Sequence, residues 1–275
     1  MIIISGAPLD ISAISGAYPE NSVQRQLLGT MSASGEKYQY DSLNQLKFEL
    51  NLRNEIVNAA RALYKSQLNF AGFHDSRCNP EFWDRTRNGG FTLKSGAKPG
   101  EAITDIFING GEYATECATA MVIVYYKALL SVYGNELFDK LFPKIYLMNW
   151  NVPEPLLRDV STPKKAADVL LGDRGYFINP DVNPATPEWQ GENVIVLPDS
   201  LYYGHGIGMT TADKIIRALN LNRKEGATQS AYFLDSVGRP NFKKLSDASG
   251  TASSSAAPRT GSLVWRPFPA PITPA

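Results

Sequence analysis

The 275-residue chain carries 27 Lys plus Arg against 27 Asp plus Glu, so its formal charge is zero and nothing in the balance draws it to nucleic acid or to an anionic membrane. An apolar fraction of 43%, with 12 Phe, 13 Tyr and 4 Trp, can fill a substantial core in one large domain or two. Two cysteines make no disulfide framework, and Met1-Ile2-Ile3-Ile4-Ser5-Gly6 lacks the basic and long apolar regions of a secretion signal, so the expectation is a protein made in the cytoplasm with free thiols.

The first residues read as a short strand. Residues 7–41 are polar and turn-rich, with Gly16, Pro19, Gly29 and Gly35 as breakers, and are expected to be irregular or short-helical. Ser42 and Gln45 have the spacing of a capping box. Leu43, Leu46, Leu50, Val57, Ala60 and Tyr64 then recur at helical spacing, with Phe48, Leu52, Ile56, Ala59 and Leu63 widening the stripe, which predicts a long amphipathic helix to about Ser66. Residues 70–88 read as a surface loop or short helix. Within them His74-x-x-x-Cys78 has the form of half a metal site, but no second close pair of ligands follows. Residues 91–94 read as a strand and 99–110 as a short helix.

From about Thr115 the pattern changes. Ala114-Thr115-Glu116-Cys117-Ala118-Thr119-Ala120 leads into an apolar run ending at Gly134, the signature of a buried helix. Lys127 and the polar opening break the run short of a membrane span. Cys117 falls in the first turn, where unpaired N–H groups and the helix dipole favour a thiolate, while the neighbouring Glu116 opposes one. On this stretch alone, a nucleophile and a buried structural cysteine both fit.

Residues 144–150 read as a strand, 152–165 as a Pro-rich charged loop, and 173–178 as a further strand. Asn193-Val194-Ile195-Val196-Leu197 is the clearest strand, with 201–205 as its hairpin partner and 211–221 as a helix. After about Ser246 the composition turns to Ser, Ala, Pro, Gly and Thr, which predicts a domain over 1–245 and a low-complexity tail over 246–275.

A cysteine at a helix start, followed by strands bearing His and carboxylates, suits thiol chemistry, because rigid strands can hold a base against the sulfur. His205, in Tyr203-Gly204-His205-Gly206, is the only histidine after the cysteine helix, and Glu192 heads the adjacent strand. Each also has an ordinary structural reading. There is no G-x-S-x-G elbow, H-E-x-x-H pair or P-loop.

Taken together, Met1-Ile2-Ile3, Phe48-Glu49-Leu50-Asn51-Leu52-Arg53, Glu116-Cys117-Ala118-Thr119-Ala120, Trp189-x-Gly191-Glu192-Asn193-Val194-Ile195, His205-Gly206-x-Gly208 and Gln229-Ser230-Ala231-Tyr232 resemble the protein-glutamine gamma-glutamyltransferases (transglutaminases) of Bacillus spores. The resemblance implies a compact α+β fold of the papain-like, NlpC/P60 type, with the cysteine helix packed on an antiparallel sheet. It implies acyl transfer from a protein Gln to a Lys ε-amine through a thioester on Cys117. Glu192 would be the principal carboxylate, Glu116 a partly redundant one and His205 the site's imidazole. Phe70, Trp150 and Trp189 match aromatic positions lining the family's active-site tunnel, and backbone N–H groups at the helix start are candidate oxyanion donors. No cofactor or metal is expected, and the substrates would be Gln- and Lys-bearing proteins of the spore coat, with the enzyme on the spore surface. A cysteine hydrolase of the same fold, with water as acceptor, is the alternative. A structural spore-layer protein with a dead site is a third reading.

Overall fold

The computed structural model describes residues 1–151 and 155–255. Its centre is the helix Cys117–Leu141, which lies against the long helix Leu43–Lys65 and the shorter helix Pro99–Ile108. The apolar run predicted this burial: Ala120, Met121, Ile123, Val124, Tyr126 and Leu129 are all closed to solvent. The helix is long and apolar enough to cross a membrane, but its apolar length is spent on this core. Gly134 takes a left-handed φ of 72° and kinks the helix, which then resumes to Leu141. Leu43–Lys65 begins as the sequence predicts, with the Ser42 side chain accepting from the Gln45 N–H.

On the other side of the cysteine helix lies a five-stranded antiparallel sheet in the order Gly208–Thr211, Leu201–Gly204, Gly191–Val196, Arg174–Ile178, Tyr232–Phe233. Its register sets Tyr176 opposite Asn193 and Arg174 opposite Ile195. Phe177 and Val194 pack instead, with Ile215 and Leu219 of the helix Ala212–Asn220, into a second small core on the outer face. A short parallel pair, Asn69–Phe70 with Ala114–Thr115, brings the chain to Cys117.

Three expectations change. Residues 7–41 contain an eleven-residue helix, Val23–Ala33, whose Val23, Leu27, Leu28 and Met31 are buried, and a strand, Tyr38–Tyr40, parallel to Ile2–Ile4. Gly29 was read as a breaker, but it sits on the helix's exposed side, where tertiary packing overrides its low propensity. The strand expected over 144–150 shrinks to Tyr146–Leu147. The helix Phe242–Ser255 runs past the boundary expected at 245: Phe242 and Leu245 are buried, the Leu245 carbonyl accepts from Tyr133 Oη, and Asp247 accepts from Gln45. Of the expected tail, residues 256–275 lie outside the described residues.

Asp173, with no solvent exposure, holds these pieces together. Its carboxylate accepts from Arg53 Nη1 at 2.9 Å, from Arg239 Nε and Nη2 at 2.7 Å each, and from the Leu170 N–H at 2.8 Å. Arg53 also pairs with Glu49, which accepts from Tyr40 Oη, and its guanidinium lies 4.6 Å from the Phe242 ring centroid. Removing one member of a buried ion network strands its partners. Asp173→Ala is therefore expected to cost about 3–5 kcal/mol of unfolding free energy, read from urea titration.

Candidate active site

Cys117 is the first residue of its helix, and Glu116 is the cap. The Glu116 carboxylate accepts the Ala118 N–H at 2.5 Å and the Thr119 N–H at 2.8 Å, and the Thr119 hydroxyl donates to it as well. An anion is the natural occupant of a helix N-terminus, and three donors fix this one. The consequence for the expected oxyanion hole is direct. The N–H groups of Ala118 and Thr119 are already engaged, so they do not face an incoming carbonyl.

The donor beside the sulfur comes from elsewhere. Asn193 Nδ2 lies 3.4 Å from Cys117 Sγ. The quoted motif contains Asn193, but period-2 alternation sends it to the face opposite Glu192, and the sequence gives it no separate signal. Both residues bear on the thiol because the strand Gly191–Val196 starts beside the helix start. Burial pushes the Cys117 thiol up to about 12, the negative charges of Glu192 and Glu116 add to the rise, and the hydrogen bonds from Asn193 oppose it.

Glu192 is almost fully buried and its Oε1 has no hydrogen-bond partner. Burial, then the charge of Glu116, raises its pKa well above the ordinary carboxylate range. Its space is made by Gly204 on the neighbouring strand, where an added Cβ would stand 2.6 Å from Oε1.

His205 is placed differently from a relay. Its Nε2–H donates to the Asn69 carbonyl at 3.1 Å, and its Nδ1 accepts from Tyr203 Oη at 3.3 Å, so the partners fix a neutral tautomer. Burial draws its pKa down to about 4. The ring holds the Asn69–Phe70 strand and lies 6.0 Å, centroid to centroid, from Phe70. It makes no hydrogen bond to Cys117 or Glu192.

An open cleft of about 660 Å³ has Cys117 in its wall together with Glu116, Phe70, Trp150, Tyr176 and Asn193. Of the three expected tunnel aromatics, Phe70 and Trp150 line it. Trp189 does not: it packs against the second core, while its neighbours Glu188 and Gln190 face the cleft. Trp150 follows Asn149, which has a left-handed φ of 50° and whose N–H donates to the Thr119 hydroxyl at 2.7 Å. Thr119 thus ties the aromatic wall to the Glu116 cap. His74 and Cys78 lie away from this cleft. The His74 side chain is out in solvent, and both cysteines are free thiols.

A thiol at a helix start, an amide donor beside it and a raised carboxyl behind it can carry out thiol-dependent acyl transfer. The comparisons place that class among known proteins. The family model described as "Protein-glutamine gamma-glutamyltransferase" matches residues 1–249. Proteins of that name from Bacillus mycoides (strain KBAB4) and Bacillus cereus (strain AH820) are each 42% identical over 246 residues, covering 89% of this chain and 88% of the relative. A solved structure, "Transglutaminase from Geobacillus stearothermophilus (without C-terminal extension)", aligns with a TM-score of 0.71 at 50% identity, covering 75% of this chain and 97% of that one. The chain belongs to the protein-glutamine gamma-glutamyltransferase family and is a transglutaminase.

Two measurements follow from the site. Above the ordinary carboxylate pKa of about 4.3 the unfolded chain ionises Glu192 while the folded chain keeps the proton. The buried group therefore subtracts stability as pH rises from there towards its folded pKa. Glu192→Gln should remove that slope, so melting curves from pH 4 upward should show the variant gaining on the parent. Gly204→Ala should push the Glu192 carboxyl out of place, lowering amine incorporation about 10²-fold while circular dichroism stays native.

Proposed function

We propose that the enzyme cross-links proteins through Cys117, with Glu192 as the base. The observation that carries this reading is the buried Glu192 carboxyl, its Oε1 without a partner, beside a half-buried thiol bonded by Asn193. As the Cys117 sulfur attacks the carboxamide carbon of a protein glutamine, its proton passes to Glu192. Asn193 Nδ2–H steadies the oxygen that gains charge. The C–N bond breaks, Glu192 returns the proton to the departing ammonia, and a thioester remains on Cys117. A neutral lysine amine then attacks the thioester carbon and loses a proton to Glu192. The C–S bond breaks, the thiol recovers that proton, and the product is an isopeptide. A raised Glu192 suits both halves, because a base matched to the thiol can both take and return the proton.

Glu116, held in place by its three donors, serves first to keep Glu192 basic and second as a partly redundant base. His205 serves by holding the Asn69–Phe70 strand. The aromatic entrance at Phe70 and Trp150 desolvates the incoming lysine and lowers its pKa. No step needs calcium or a cofactor. The physiological substrates are Gln- and Lys-bearing proteins of the spore coat, and the enzyme acts at the spore surface; the motif resemblance to the transglutaminases of Bacillus spores supports this.

The test is covalent incorporation of a primary-amine fluorophore into a Gln-containing protein. Cys117→Ala is expected to abolish it, and Glu192→Gln to lower it about 10²–10⁴-fold. Glu116→Gln should cost less, and the double change more than the two single losses multiplied. Glutamate formation without labelling would instead favour a hydrolase of the same fold. Excess chelator should leave the rate unchanged, and a loss that added calcium restores would contradict the scheme.

A further inference from the structure

The cleft holds a cation that the chemistry above does not use. Arg174 lies in the same wall as Cys117 and is only 4% exposed. Its guanidinium stacks 4.5 Å from the Trp150 ring centroid, and its Nη2 donates to the Val160 carbonyl at 3.0 Å. The Nε–H has no acceptor, and among the described residues no carboxylate pairs with it. Elsewhere in this protein buried arginine is treated differently: Arg53 is held by two carboxylates. Burying a cation without a counter-charge is costly, and here burial lowers the Arg174 pKa.

The sheet register says where this cation stands relative to the reacting sulfur. Asn193, which touches Cys117 Sγ, pairs with Tyr176. Arg174 is two residues from Tyr176 on the same strand, hence on the same face, about 6–7 Å further along. Tyr176, opposite Asn193 in the register, lines the cleft together with Arg174. The sequence Cys117, Tyr176, Arg174 therefore runs along the wall. A glutamine side chain reaching Cys117 leaves its peptide neighbours about one extended residue apart, near 3.5 Å each. A side chain one or two residues from the reactive glutamine spans the remaining distance.

We propose that Arg174 is an anion subsite for the acyl donor, selecting reactive glutamines that have Asp or Glu one or two residues away. A charge-assisted bond from guanidinium to carboxylate is among the stronger hydrogen bonds, and the Trp150 face holds the Arg174 guanidinium in one plane at the cleft wall. The bound carboxylate supplies the counter-charge the folded protein lacks. Glu116 and Glu188, the acidic residues of the cleft, are left to face the cationic acceptor. This rests on the cross-linking reading of the same site and names its donor specificity.

The experiment uses the full chain with end-capped hexapeptides carrying one glutamine, flanked at each of the two nearest positions on either side by Glu, Met or Lys. Fluorescent amine incorporation gives kcat/KM for each. For the parent enzyme, the best Glu peptide should exceed its Met counterpart about tenfold, and the Lys peptide should fall below both. In Arg174→Met the Glu-to-Met ratio should collapse to about one, and Arg174→Lys should restore part of it. Salt should erode the parent's ratio and leave that of Arg174→Met unmoved. If the parent shows no preference, or if Arg174→Met lowers all peptides alike with the ratio intact, Arg174 only braces the Val160 segment and the subsite does not exist. Should Arg174→Met not fold, Arg174→Lys and the salt series on the parent decide by the same ratios. Failure of every peptide to be labelled by the parent would overturn the cross-linking reading itself, and this inference with it.

Discussion

The site is built around the difficulty of keeping negative charge in a buried place. Three acidic groups, the Cys117 thiol and the carboxyls of Glu116 and Glu192, meet at one helix start, and they are given very different numbers of donors. Glu116 has two backbone N–H groups and the Thr119 hydroxyl. Glu192 has an oxygen with no partner, and the thiol has the two weak donors of Asn193. The charge of Glu116 then adds to burial in raising the pKa of the other two. Each of the two is thereby harder to ionise than it would be in water. Such a pair avoids a reactive thiolate until a substrate displaces water and presents a carbonyl. The neutral His205, with both ring nitrogens engaged, rules out a resting thiolate–imidazolium pair in this geometry.

Everything distant from the cleft serves to hold these groups in register. The helix carries Cys117 because its apolar length is gripped by Leu43–Lys65 and Pro99–Ile108. The sheet presents Asn193 because Arg174–Ile178 and Gly191–Val196 pair at one register, and a one-residue slip would turn Asn193 away. Asp173, one residue before the Arg174 strand, is pinned by Arg53 of the long helix and by Arg239. The buried ion network therefore fixes the sheet against the helices at the point where the cleft opens. Thr119 performs the same service locally, accepting the Asn149 N–H and thereby setting the turn that presents Trp150.

What the sequence disclosed, it disclosed through periodicity and motif. The cysteine helix, the long helix with its Ser42 cap and the hairpin of 191–204 were legible because their apolar spacing is unambiguous. So were Cys117, Glu116 and Glu192, which stand inside continuous motifs. The helix Val23–Ala33 was hidden by Gly29 and by polar residues on its exposed side. The helical stretch beyond Leu245 was hidden by a Ser- and Ala-rich composition that gives no hydrophobic signal, although Asp247 and the Leu245 carbonyl are bonded to the body. The roles of Arg174, Thr119 and Asn193 depend on partners 14 to 76 residues away, which no local pattern announces. Trp189 shows the opposite error, a motif residue whose side chain packs on the outer face while its neighbours face the cleft.

The central claim, a thiol that stays protonated until Glu192, and not His205, takes its proton, is tested most directly by the pH dependence of Cys117 alkylation with iodoacetamide in a Cys78→Ser background. The rate should keep climbing through pH 9 with no plateau at neutrality. Glu192→Gln should move the curve to lower pH by removing a neighbouring charge, and a His205 substitution that folds should leave its midpoint in place. A plateau near neutral pH that disappears when His205 is replaced would show a thiolate–imidazolium pair and contradict the account.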